Sequence, residues 1–174
     1  MLVFWRHGYE TTSIGDLTTA MVITATSLYR AFGDKKRLFL EAAQRYAGGL
    51  DAMARSIDGA PAALDAARRM LTGVATGYTR EATPNGCLLA SATASGSAAS
   101  ADAQGAITDI RQQIGMHLRA RIERDISAGV LSPRTHAAAL AGMVMAIIQG
   151  LSVLAIVEQT LQAWPAQSRA AAKQ

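Results

Sequence analysis

The stretch TSIGDLTTAMVITATSLYRAFGDKKRLF, residues 12–39, places two short helical segments back to back with a tight turn between them. Thr12 or Ser13 offers the first N-cap. Ser13 has Asp16 three residues on, a weaker form of the capping box, ahead of apolar Ile14, Leu17 and Met21. Thr24 offers a second N-cap only three residues after Met21. In the following ATSLYRAF, Leu28 and Phe32 share one face at i, i+4. Gly33-Asp34 then stops that helix and caps the next, which begins KKRLF. A buried helix has no use for Thr, Ser, Tyr, Arg and Lys at such close spacing, whereas a surface that grips phosphates does. The pattern is a helix–turn–helix.

Ahead of this unit, Leu2 to Arg6 reads as the end of a helix, with Gly8 where a C-cap glycine belongs. Behind it, Gly48-Gly49 loosens a longer helix, and Asp58-Gly59 with Pro61 marks a turn and a new first helical position. Residues 61–82 carry Leu64, Ala67, Leu71, Val74 and Tyr78 at helical spacing. TPNG reads as a turn, CLLASATA as a short helix and SGSAASADAQG, residues 95–105, as a low-complexity loop. A long helix is expected from about Ala106 to Ala128, ended by Gly129, and another from Ser132-Pro133. No segment alternates as a strand does, and alanine is abundant while Val, Ile, Phe and Tyr are sparse. The expected fold is all-α, with a DNA-binding head over 1–47 and a ligand-binding and dimerisation domain over 48–174.

Half of the 174 residues are apolar, enough for a core without staples. Residues 1–50 hold six Lys/Arg against four Asp/Glu, a modest excess compatible with a polyanion partner. Cys87 is the single cysteine, so no intramolecular disulfide forms, and no secretory signal pattern follows Met1. A cytoplasmic protein is expected. The uncharged run AAALAGMVMAIIQGLSVLAIV, residues 137–157, is long enough to span a bilayer. It contains Gln149, Ser152 and two glycines and lacks aromatic and basic anchors on both sides, so a helix buried in a core plus a subunit interface is the better reading.

Residues 4–46 resemble the tetracycline-repressor (TetR) family of bacterial transcription regulators. FWRHGYETTSIGDLTTAM, ITATSLYRAFGDKKRLF and the helix ending near Tyr46 carry the resemblance, and PNGCLLASAT is a looser match in the body. The resemblance implies a homodimer that binds double-stranded operator DNA as a repressor and is released by a small-molecule effector, with no cofactor. It implies phosphate contacts from Thr12, Tyr29 and Lys35, and base-edge contacts from Thr24, Ala25, Thr26 and Arg30. Ser27 and Lys36 lie at the starts of their helices beside these. Arg30 is the one side chain able to read a base bidentately.

Two departures from the family pattern stand out. The first helix is expected to be truncated, because Met1 to His7 give barely two turns. The turn residue, usually glycine in the family, is Val22, which resists a positive φ. Both raise the alternative of a helical dimerisation protein that has lost DNA binding. A polar turn is also expected near Ala155-Ile156, where residues of the family pattern are missing.

For dimerisation, Gly142, Ala146 and Gly150 form a small-residue row, with Val144, Ile147, Ile148, Leu151 and Leu154 supplying apolar area around it. Effector-pocket candidates, by residue type and position, are Met70, Tyr78, Cys87, Met116, His117 and Gln149. An enzyme is disfavoured. There is no Gly-rich phosphate loop, and His7, His117 and His136 are scattered without metal-ligand or nucleophile–base spacing.

Overall fold

A computed structural model describes residues 1–91 and 101–171, and these residues form α-helices joined by short turns. The first, α1 (Leu2–Thr11), is bent at Gly8, whose φ of 78° and ψ of 175° lie outside helical space. The C-cap expected at Gly8 is instead a kink inside the helix, in a conformation that glycine adopts without a Cβ penalty. Next, α2 (Ile14–Met21) starts in a complete capping box. The Ser13 hydroxyl accepts from the Asp16 N–H (3.0 Å), and the Asp16 carboxylate accepts from the Ser13 N–H (2.8 Å). Those bonds from Ser13 hold the Asp16 carboxyl below its ordinary pKa.

Thr24 caps α3 (Ala25–Phe32) and Asp34 caps α4 (Lys35–Ala47), each side chain accepting a backbone N–H of the first turn. Gly48 separates α4 from α5 (Gly49–Asp58), so the expected loosening is a helix break. Phe4, Leu17, Leu28 and Phe39 bury the junction of α1 to α4, with Phe4 edge-on to Phe39 at 5.2 Å. Short as it is, α1 supplies Phe4 and Trp5 to the core behind the helix–turn–helix.

Val22 links α2 to α3 in the left-handed region (φ 54°, ψ 45°), the geometry that glycine favours, with its side chain 90% exposed. A β-branched residue there carries strain of about 1–3 kcal/mol, and exposure means its side chain contributes little packing in return. Val22→Gly relieves the strain but loosens the unfolded chain by about 0.5–1 kcal/mol. The expected net result is a melting temperature higher by roughly 2–4 °C in a thermal unfolding scan. A fall in melting temperature would show the turn unstrained.

In the body, α6 (Ala63–Tyr78) begins two residues after Pro61 rather than at it, with Ala62 at the N-cap and no cap from its own side chain. Asp125 of α8 (Ala101–Ser127) takes over that role. It is 4% exposed, accepts from the Ala63 N–H at 2.6 Å, and is paired with Arg121 at 2.9 Å. Four-residue α7 (Leu88–Ser91) follows the turn at TPNG. α8 begins at Ala101, so the expected loop is helical over residues 101–105, while residues 95–100 lie outside the described ones. Gly129 ends the stretch after α8 at φ 74°.

The last helix, α9 (Ala137–Ala171), does not start at Ser132-Pro133. Those residues form a turn in which the Thr135 N–H bonds the Ser132 carbonyl, and the His136 Nδ1 accepts from the Ala139 N–H (3.2 Å) at the helix start. Nor does a turn interrupt it at Ala155-Ile156, which lie within one continuous helix. Residues Ala137–Glu158 are long and apolar enough to cross a membrane, yet only 28% of the window's residues are buried by this chain. This chain's own core thus covers only part of the helix, which was expected to be buried in a core plus a subunit interface. Ala141, Val144, Ile148 and Ala155 face the core, and the opposite stripe is bare.

Candidate nucleic-acid interface

The exposed surface of the helix–turn–helix is built from α3 and the ends of its neighbours. Leu28 is fully buried and Phe32 half-buried, which turns the other face of α3 outward. Ala25, Thr26, Ser27, Tyr29 and Arg30 are all exposed on it, as is the capping residue Thr24. Tyr29 is 48% exposed, so it is not spent on the core. The Thr24 and Ser27 hydroxyls are 3.0 Å apart and each retains capacity for a further partner. The cap geometry leaves the first N–H groups of α3, the positive end of its dipole, at the same surface.

Two expected phosphate ligands are placed differently. Thr12 is 1% exposed, and its hydroxyl donates to the Gly8 carbonyl at 2.6 Å, which fastens the kink of α1. The Lys35 ammonium donates to the Thr12 carbonyl at 2.9 Å and lies 4.6 Å from the centre of the Tyr9 ring. The Thr12 hydroxyl is thus spent within the end of α1, and Lys35 ties α4 to it, instead of both standing free on the surface. The reason is local: the bend at Gly8 leaves carbonyls at the end of α1 that need donors, and these two groups supply them. Lys36, by contrast, is paired with Asp102 at the start of α8, and the bond raises the lysine pKa and lowers that of the aspartate.

The expected effector residues fall in separate places. Met70 and Tyr78 line one cavity of about 700 Å³ between α1, α4, α5 and α6. Cys87 is buried behind it, receiving the Tyr46 hydroxyl at 3.5 Å while its own N–H donates to Ser152. Burial, reinforced by Cys87, pushes the Tyr46 and Tyr78 phenols well above their ordinary range, so both stay neutral donors. Met116 is exposed and lies in a groove of about 540 Å³ between α8 and α9, beside Gly142. His117 lines none of these cavities, its ring being about half exposed and facing Asp58 across 3.9 Å. Gln149 is half-buried on α9 and lines none of these cavities. Sequence reasoning missed Trp5 and Tyr46, which wall the large cavity from the α1 and α4 side. Their aromatic character was visible, but which face of a short kinked helix turns inward was not.

On α9, the expected interface residues Gly142, Ala146, Ile147, Gly150 and Leu154 are exposed and Leu151 is half-buried. Val144 and Ile148 instead belong to the chain's own core. Leu140, Met143, Val153 and Val157 extend the bare stripe and were not singled out.

A helix–turn–helix head on an all-helical body with one long, half-bare apolar helix defines a class of helical transcription regulators. The family described as "Bacterial regulatory proteins, tetR family" matches residues 1–42. The repressor ComR of Escherichia coli (strain K12), described as an HTH-type transcriptional repressor, is 28% identical over 95% of this chain and 85% of its own length. A cysteine mutant of the TetR family transcriptional regulator CifR, solved with a 26-bp double-strand operator DNA, is 34% identical, covering 90% of this chain and 82% of that one (TM-score 0.85). A putative TetR transcriptional regulator from Rhodococcus sp. RHA1 is 36% identical over 89% of this chain and 83% of its own (TM-score 0.57). The chain belongs to the TetR family of bacterial transcription regulators.

Proposed function

We propose that the chain is a cytoplasmic repressor that binds operator DNA as a homodimer and is released by a small-molecule effector. The observation that carries the reading is the fully outward face of α3, with Thr24, Thr26, Ser27, Tyr29 and Arg30 exposed together at the end of an intact capped turn. CifR, similar over nearly the whole chain, was solved on operator DNA, and ComR bears the description of a repressor. Residues 1–47 act as the head and 48–174 as the body. The α9 stripe supplies the two-fold contact that sets two α3 helices one DNA turn apart.

Within the head, Tyr29 and Lys36 hold phosphates while Thr24, Ala25, Thr26, Ser27 and Arg30 stand at the base edges. Arg30→Ala is expected to weaken operator binding by about 10- to 100-fold while leaving random-DNA affinity nearly unchanged. A mobility-shift titration on both DNAs checks this, and equal losses on both would reassign Arg30 to the backbone. Asp102→Asn removes the competitor for the Lys36 ammonium. It is expected to tighten operator binding up to about fivefold at low salt, an exposed pair being weak and easily screened. No change, measured by anisotropy, would leave Lys36 outside the interface.

A second reading is a helical dimerisation protein without DNA affinity, motivated by Val22 in place of a turn glycine. The packing of Phe4 and the left-handed geometry at Val22 favour the first. Stoichiometry tests the proposal directly. Sedimentation of the chain with DNA from upstream of its own gene is expected to give two chains per duplex, and a free dimer that ignores the duplex would select the second reading.

A further inference from the structure

The cavity of about 700 Å³ lies where the head meets the body. Trp5 of α1 and Tyr46 of α4 form one wall, and Met53, Met70 and Tyr78 of α5 and α6 form the other. Trp5 stands edge-on to Tyr46, ring centres 4.9 Å apart. A second cavity, of about 390 Å³, shares Trp5 and Thr83 with the first, so these two residues partition them. Both carry a buried polar atom that finds no hydrogen-bond partner among the described residues, the Trp5 Nε1 and the Thr83 Oγ1. Trp5 itself is 7% exposed. An unsatisfied buried donor costs about 1–3 kcal/mol, so two of them at one partition need an explanation.

The charge of the lining narrows what could satisfy them. Arg69 and Arg80 line the larger cavity, no carboxylate does, and neither arginine has an ion pair among the described residues. Apart from the Ser56 and Thr83 hydroxyls, the remaining surface is mainly thioether, aromatic and aliphatic. An apolar body would fill it, and an anionic oxygen would receive both the orphaned donors and the guanidinium groups.

We infer that this cavity is the effector site and that it takes a compact, mainly apolar monocarboxylate, such as an arylalkanoate, whose occupancy shifts the head relative to the body and releases DNA. The inference rests on the proposed ligand-responsive function and adds to it a location and a chemical class. Coupling follows from the walls. A ligand held by Trp5 on one side and by α6 on the other fixes the head in one position, and only a ligand with unequal affinity for two head positions can move the equilibrium between them.

The test compares 3-phenylpropionate with 3-phenylpropionamide, equal in shape but not in charge, on the full chain. The acid at saturation is expected to raise the melting temperature by roughly 5 °C or more and to release bound operator, with the amide at least about tenfold weaker in both. Arg69→Gln with Arg80→Gln is expected to weaken the acid about tenfold and leave ligand-free DNA affinity unchanged. Thr83→Val, close in shape, is expected to lower affinity for both compounds. Equal binding of acid and amide, or indifference to the arginine pair, overturns the carboxylate assignment. Binding without operator release overturns the site as a regulatory one. If the ligand-free chain fails to bind operator at all, the proposed function falls, while the melting series still decides what the cavity holds.

Discussion

Asp125→Ala is expected to lower the unfolding free energy by about 3–5 kcal/mol, seen in denaturant titration as a fall in midpoint with an unchanged slope. The carboxylate is buried on the apolar face of α8, yet it serves two elements at once. It caps the Ala63 N–H of a helix that has no side-chain cap of its own, and it neutralises an arginine whose side chain is only 14% exposed. Truncation strands both partners. The Arg121 Nε already lacks a partner, and its terminal nitrogen would keep only the Pro61 carbonyl. Asp125→Asn keeps the shape and one acceptor, so it is expected to cost less than Asp125→Ala. A loss below about 1 kcal/mol for the alanine variant would mean water substitutes for the carboxylate, and would contradict a structural role.

Placing aspartates on the bare side of α9 is the second large perturbation. Ile147 and Leu154 are 43% and 58% exposed in the isolated chain, two turns apart on the same side. In the proposed dimer they would be buried against the partner helix, where an unpaired charge is strongly unfavourable. Ile147→Asp with Leu154→Asp is expected to give a folded monomer by sedimentation, with its helical circular dichroism retained. Operator affinity is expected to fall at least about 100-fold, because the second half-site then has to be bound by an independent molecule. A variant that stays dimeric would move the interface off this stripe. One that becomes monomeric without losing affinity would show that a single head suffices.

The head was far more legible than the body. Its helix limits depend on caps, and caps are local: Ser13 with Asp16, Thr24, Asp34 and the glycines at 8 and 33 each act within three or four residues. The outward face of α3 followed from Leu28 and Phe32 alone. The bonds of Thr12 and Lys35 inside the head were not foreseen, because their partners are carbonyls at the bend at Gly8, and a residue list does not show which way a bent helix end points.

In the body, deciding contacts span about 60 residues, as between Asp125 and Ala63 or Cys87 and Ser152. Spacing within one helix shows that a face exists, not what covers it. Asp125 did leave a trace, since it continues the buried row of Leu118 and Ile122, and an acid in such a row calls for a partner. The α9 row was visible as small residues, but its true extent through Leu140, Met143 and Val157 needed the core-facing residues to be known first.

The central claim is that the α3 face reads DNA, and fluorescence anisotropy tests it most directly. The full chain is titrated against a labelled duplex from upstream of its own gene and against a shuffled duplex of equal composition, across a salt series. Binding to the upstream duplex is expected to be tighter by about 1000-fold or more, with affinity on both falling steeply as salt rises. Equal affinity for the two duplexes, or no binding even at low salt, would contradict the account.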